Sequence, residues 1–231
     1  MTQSTRAFPR RWFDATMDWF DERIALRQLI AASLHVVIPR RAHTYYLGGI
    51  TLFLFASQAV TGILLSLYYQ PTPESAYNSI LYIMNQVNFG WLMRSVHAWG
   101  ANLMIIFCVL HLLRVAVQGA YKKPREITWM VGMGLLFITL GFGFTGYLLP
   151  WDQRAFWATT VGTEIASAVP LVGEAIRDFL RAGADVSALT LSRFLGVHML
   201  ILPASLVGLL LVHLLIIHQQ GLADPHATEE Q

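Results

Sequence analysis

Apolar residues crowd into four long runs, at residues 45–69, 95–117, 128–149 and 194–217. Each is longer than the roughly 20 residues a helix needs to cross a bilayer, so the pattern predicts four membrane-spanning helices. Two other stretches follow a different rhythm. In "RRWFDATMDWFDERIALRQLI", residues 10–30, Phe13, Met17, Phe20 and Ile24 recur at helical spacing among charges. That spacing predicts an amphipathic helix lying on a membrane surface. Residues 153–190 mix Trp, Phe, Gly and charge and predict short interfacial helices. For both stretches an ordinary surface helix is the plainer alternative. The expected architecture is an all-α membrane protein with an N-terminal amphipathic segment (1–44), a four-transmembrane-helix bundle (45–217) and a polar tail (218–231).

Composition supports lipid as the solvent. The chain is 55% hydrophobic and only 13% charged, where a soluble domain carries about 25% charged residues. A net charge of +2 gives no argument for nucleic acid. Cys108 is the single cysteine and sits in mid-run, so no internal disulfide forms. Residues 1–40 contain no compact apolar core or small-residue cleavage site, so the chain is expected to enter the membrane through its own helices. Basic residues set the orientation. Arg6, Arg10, Arg11, Arg23, Arg27, Arg40 and Arg41 precede the first run, and Lys122, Lys123 and Arg125 lie between the second and third. The loop "QPTPESAYN" between the first and second carries none. The positive-inside rule then puts the N-terminus, the "GAYKKPRE" loop and the C-terminus on the negative, cytoplasm-like (n) side. The second and fourth spans run in parallel, from the positive (p) side to the n side.

The second run holds the chemistry. In "RSVHAWGANLMIIFCVLHLLR", Arg94 stands three residues before His97 and Arg114 three after His111. From Arg94 to Arg114 is about 30 Å of helix, close to the hydrocarbon thickness. Both arginines therefore reach the interfaces and both histidines stay inside. His97 and His111 are 14 positions apart and His198 and His213 are 15 apart. The first interval leaves about 40° between the side chains and the second about 60° of the other sign. Pro203, between the second pair, is expected to kink the helix and redistribute that angle. Parallel spans bring His97 to His198 and His111 to His213. Two imidazoles fill both axial positions of a haem iron, which leaves electron transfer as its task. Arg94 and Arg114 suit the haem propionates. Gly48 and Gly62, and Gly132 and Gly146, repeat the 14-residue interval. They would let a flat porphyrin approach the backbone, although close helix packing through small residues is the alternative. A lone intramembrane histidine is often a packing residue or a proton relay, but two matched pairs, each with an arginine, argue for haem.

These stretches also carry a family resemblance. "GGITLFLFASQAVTG", "NFGWLMRSVHAWGANL", "HLLRVAVQGAYKKPREITW", "GFTGYLLPWDQ" and "TLSRFLGVH" resemble the N-terminal, haem-bearing half of cytochrome b from quinol-oxidising complexes of the bc and b6f types. The likeness covers roughly residues 12–221. "LPWDQ" and the 14 residues between His198 and His213 resemble the shorter b6 type. The resemblance implies that His97 and His198 hold a p-side, low-potential haem and His111 and His213 an n-side, high-potential one, both noncovalent and b-type. It implies propionate contacts for Arg94 and Arg114 and haem contacts for Gly48, Gly62, Gly132 and Gly146. The segment from Tyr147 and Pro150 through Trp157 resembles the wall of the quinol-oxidation pocket.

Three departures qualify the likeness. The quinol-site Pro-Glu-Trp-Tyr motif is missing from the 231 residues, which implies a separate C-terminal cytochrome b subunit. The b6-type cysteine that attaches a third haem covalently is replaced by Tyr46, so no covalent c-type haem is expected; a noncovalent third haem stays open. His218, five residues after His213, matches a quinone-site histidine of mitochondrial-type proteins, or is an interfacial histidine. The implied partners are that second subunit, a Rieske iron–sulfur protein and a c-type cytochrome or equivalent acceptor. The implied setting is a homodimeric complex in an energy-transducing membrane such as the bacterial cytoplasmic membrane, with quinol as substrate. The chain is expected to transform no substrate alone. A dihaem membrane anchor of a dehydrogenase or reductase is the competing reading, and a non-redox bundle or proton carrier a third.

Overall fold

The computed structural model describes residues 8–24, 27 and 46–221. Among the described residues every regular element is a helix. In chain order these are α1 (Phe8–Ile24), α2 (Tyr46–Ser66), α3 (Ala76–Asn85), α4 (Gly90–Val117), α5 (Glu126–Leu148), α6 (Gln153–Ser167), α7 (Gly173–Arg181), α8 (Ala188–Gly196) and α9 (Leu202–Gln220). A π-helical turn, Val197–Ile201, joins α8 to α9 without a break. Four helices are long and apolar enough to span a membrane: α2, α4, α5 and the continuous Ala188–Gln220. The chain is an integral membrane protein of all-α fold.

The spans differ in their limits from the apolar runs. The second begins at Gly90, five residues early, and the fourth at Ala188, six residues early. Hydropathy does not mark these starts, because local geometry sets them. Phe89 is left-handed (φ 60°), and a Cβ on Gly90 would fall 2.0 Å from the Ile83 carbonyl oxygen. Only glycine lets α4 turn so tightly away from α3. The helix α3 itself, in the loop after the first span, was not expected from the sequence. The stretch 153–190, where short helices were expected, forms α6 and α7 and enters α8. In α1, Trp12, Phe13 and Trp19 are exposed, and Arg27 pairs with Asp18 at 2.6 Å. The rest of the expected 10–30 helix, and the tail from 222 on, lie outside the described residues.

The fourth helix absorbs its extra residue through the π turn. The Leu202 N–H donates to the Val197 carbonyl, five residues back. Pro203 has no N–H for the Met199 carbonyl, so the α-helical ladder is already weakened there. A π bulge inserts one residue into a helix. The 15-residue interval from His198 to His213 thereby regains the register of the 14-residue interval in α4. The adjustment is a bulge at His198 itself, upstream of Pro203, where a proline kink was expected.

Helix α2 packs on α4, α5 packs on α9, and α4 meets α5 between the two pairs. The fully buried apolar cluster lies at the Arg94 end, where Ala76, Leu148, Leu191 and Phe194 gather with Tyr69, Phe144, Leu149 and Trp151 around them. Many side chains of the spans face outward: Phe53, Ile106 and Leu211 are more than half exposed, as lipid-facing positions require. A buried guanidinium ties the loop helices together. Arg181, 5% exposed, donates from Nε to Thr163 Oγ1 (2.7 Å), from Nη1 to the Ala184 carbonyl (2.8 Å) and from Nη2 to the Thr160 carbonyl and Glu164 Oε2 (both 2.8 Å). At the opposite end the clasp is half-exposed. Arg125 Nη2 donates to the Gln220 carbonyl at 3.0 Å, and Gln220 Nε2 returns a bond to the Pro124 carbonyl at 3.0 Å.

Candidate functional site

The four histidines form two levels between the helix pairs. At the first level His97 of α4 and His198 of the π turn face each other, with ring centroids 6.4 Å apart. His111 of α4 and His213 of α9 make up the second level, each against its own glycine.

Each imidazole lies against one glycine. A Cβ on Gly62 would sit 3.2 Å from Cε1 of His97, and one on Gly146 2.8 Å from Cε1 of His198. At the second level a Cβ on Gly48 would sit 3.2 Å from Cε1 of His111, and one on Gly132 3.5 Å from Cε1 of His213. The glycines therefore make room for the imidazole rings, seating each ring deep against the neighbouring helix. The shared 14-residue interval follows, since each glycine must track its histidine.

Threonines complete the first level. Thr61 Oγ1 lies 2.9 Å from Nδ1 of His97, and Thr145 Oγ1 lies 2.9 Å from Nδ1 of His198. Thr61 also donates to the Ser57 carbonyl at 2.7 Å, and Thr145 to the Gly141 carbonyl at 2.8 Å. The second level differs. Leu47 and Val131 precede its glycines, and the buried Nδ1 of His213 meets no hydrogen-bond partner.

A cavity of about 580 Å³ opens at the first level, lined by Gly62, His97, Gly146 and His198. Its size falls in the range of cofactor pockets, roughly 300–1,000 Å³. Arg94, Arg154 and Asp152 also line it, as do Tyr147 and Pro150. Among the described residues neither Arg94 nor Arg154 forms an ion pair. Asp152 is engaged as the N-cap of α6, accepting from the Ala155 N–H at 2.8 Å. The buried Nε2 of Gln58 meets no hydrogen-bond partner beside this cavity; a Cβ on Gly100 would crowd it at 2.2 Å.

These features fit a haem. An imidazole nitrogen binds a metal at roughly 2 Å, so two rings on opposite sides of one iron have centroids on the order of 6 Å apart, matching the first level. The cavity is apolar, and the guanidiniums at its edge suit two propionates.

The remaining sequence candidates fall as follows. Arg114 lies in the last turn of α4, with Nε and Nη2 shielded from solvent. Tyr147 and Pro150 share the first-level cavity, whereas Trp157 does not line it: the ring is 58% exposed and its Nε1 donates to Gln153 Oε1. Between them "LPWDQ" makes a sharp turn in which Trp151 is left-handed (φ 53°) and the Leu149 carbonyl accepts from the Tyr69 hydroxyl at 2.6 Å. His218 is exposed near the end of α9, and Tyr46 begins α2 and is exposed. Thr61, Thr145, Gln58 and Arg154 were not singled out from the sequence. The repeated "TG" at 61–62 and 145–146 was the available signal for the threonines.

Residues 33–221 match the family model for cytochrome b/b6/petB. The chain belongs to the cytochrome b family. It is 43% identical over 209 residues to a cytochrome b6 of Synechococcus elongatus, across 90% of this chain and 97% of that one. It is 44% identical to a cytochrome b6 of Gloeobacter violaceus over the same shares. Among solved structures it is similar to a chain of a hyperthermophilic respiratory complex III, with a TM-score of 0.82 and 34% identity. That match covers 90% of this chain and 56% of the other, so this family member spans little more than half the length of that neighbour.

Proposed function

We propose that this chain is the dihaem subunit of a quinol-oxidising complex, with its two histidine levels forming a path for electrons between the two membrane faces. The observation that carries this reading is the doubled unit of helix-borne histidine pair and facing glycines. His97 and His198 would ligate a p-side b-type haem, and His111 and His213 an n-side one. Arg94 and Arg114 would neutralise propionates at the two interfaces by charge-assisted hydrogen bonds. A haem bound at each level supplies one-electron redox chemistry. The chain's part is to hold both imidazoles of a level in place and to keep the level dry. Moving one charge across the membrane works against about 2.3 kcal/mol per 100 mV, so such a path stores energy.

The cavity edge at Tyr147 and Pro150 supports a quinol pocket beside the p-side level, completed by a second subunit that carries the Pro-Glu-Trp-Tyr motif. A Rieske protein and a c-type cytochrome or equivalent acceptor would take the remaining electrons. The basic loop at Lys122, Lys123 and Arg125 supports an orientation with that loop on the n side.

Pyridine haemochrome assay of the complex tests the assignment. Two b-type haems per chain are expected; His97→Leu or His198→Leu should remove one, and His111→Leu or His213→Leu the other. A parent with one haem overturns the four-ligand scheme. Copurified Rieske protein and a second cytochrome b subunit, identified by mass spectrometry, separate this reading from a dehydrogenase anchor. With Tyr46 in place of a cysteine, no haem-stained band should survive a denaturing gel.

A further inference from the structure

We propose that the hydroxyls of Thr61 and Thr145 hold His97 and His198 in the tautomer that bares Nε2, and thereby make the p-side haem the more easily oxidised of the two. The proposal rests on the haem assignment above and deepens it.

Proton accounting carries the argument. A threonine hydroxyl has one proton and two lone pairs. Both protons are engaged four residues back, by Ser57 at 2.7 Å and Gly141 at 2.8 Å. Each oxygen, 2.9 Å from a ring Nδ1, is then left as an acceptor, and the ring must carry its proton on Nδ1. Nε2 keeps its lone pair, as a ligand requires. Thr61 and Thr145 are buried, so water does not compete for the contact.

The arrangement is duplicated. Helix α2 offers Thr61 and Gly62 to His97, and α5 offers Thr145 and Gly146 to His198, so one residue pair seats the ring and the same pair fixes its proton. The second level has the glycines without the hydroxyls, with Leu47 and Val131 in their place. A ligand imidazole that donates its second N–H becomes a more basic, more electron-rich ligand. Electron-rich axial ligands favour the ferric state. Two such bonds at one level and none from hydroxyls at the other separate the haems in the direction an electron path needs. Thr61 and Thr145 are positioning residues, since they act through the histidines.

The test is redox potentiometry of the assembled complex. Thr61→Val and Thr145→Val keep the shape and remove the oxygen, while Thr61→Ser and Thr145→Ser keep the oxygen. In either Val variant the electron equilibrium between the two haems should shift several-fold toward the p-side haem, further in the double variant. The Ser variants should match the parent. Loss of the p-side haem in a Val variant but not in its Ser counterpart also supports the proposal, since the hydroxyl is then what keeps the ligating tautomer. Parent-like potentials in both Val variants overturn it, as does equal loss of haem in Val and Ser. A parent that lacks two low-spin haems would refute the haem assignment itself, an outcome separate from these.

Discussion

At the level of His97 and His198 both rings contact a threonine oxygen through Nδ1, and a Cβ on Gly146 would overlap His198 at 2.8 Å. At the level of His111 and His213 the preceding residues are Leu47 and Val131, the Nδ1 of His213 closes no hydrogen bond, and a Cβ on Gly132 would meet its ring at an ordinary 3.5 Å. The same helices and nearly the same interval therefore build one polar-clamped site and one apolar-backed site, the seat being tighter at Gly146 than at Gly132 and equal at Gly62 and Gly48. The ends of the bundle differ in the same sense. Around the first level the loop helices are locked by a buried guanidinium, whereas the other end is held by a half-exposed clasp between Arg125 and Gln220. The lesson is that histidine spacing duplicates the sites, and the residue beside each glycine tells them apart.

Alanine at the two glycines should break the comparison most sharply. Gly146→Ala forces a Cβ into the His198 ring, an overpacking cost of about 1–3 kcal/mol. Most of the haem proposed at that level should be lost from the purified complex. Gly132→Ala places its methyl at van der Waals distance, and haem content should stay near two per chain. Equal losses from both variants would erase the distinction drawn between the levels.

The two ends can be compared through their arginines. Arg181→Gln leaves the carbonyls of Thr160 and Ala184 without their buried donor and should cost about 3 kcal/mol. Arg125→Gln removes bonds at a half-exposed helix end and should cost no more than about 1 kcal/mol. Thermal unfolding in detergent, followed by circular dichroism, would order the two.

His218→Phe probes the end beyond the second level alone. If His218 serves a quinone site, quinol should still reduce the haems from the p side, while the n-side haem re-oxidises several-fold more slowly and stays reduced in steady state. Stopped-flow spectroscopy that finds parent-like re-oxidation and pH dependence would leave it an interfacial histidine.

The smallest effect is on the acid limb of stability. The bond from Arg181, with further help from Ser167 and Arg177, holds the Glu164 carboxyl below the usual carboxylate range. A carboxylate depressed in the folded state stabilises above its unfolded value, and that contribution fades as pH falls through the folded value. Glu164→Gln should therefore be slightly less stable at neutral pH and converge with the parent in acid. Parallel curves across that range would show that the pair contributes nothing.

Most of the function is legible in the sequence alone. Apolar runs of bilayer length gave the four spans, because lipid forces every backbone group of a spanning segment into its own helix. Histidine intervals near whole turns named the four facing histidines, because helical periodicity converts sequence spacing directly into a shared face. The start at Gly90 was hidden, since it depends on a left-handed Phe89 and on the Ile83 carbonyl pressing against Gly90, and so was that at Ala188, where the Ser187 N–H is taken up by Thr190 Oγ1. The helix α3 was hidden too, being only ten residues of mixed polarity.

The sequence by itself determined the solvent, the number of spans, the four histidines and their pairing, because all of these follow from the period of a single helix and the thickness of a bilayer. Only the tertiary structure decided what those periods leave free. It turned the extra residue before His213 into a π turn, since a ring in α9 must meet a ring in α4. It set each glycine against an imidazole, and it put Thr61 and Thr145 beside the histidines of one level only. These outcomes depend on distances between separate helices, and no interval within one helix encodes them.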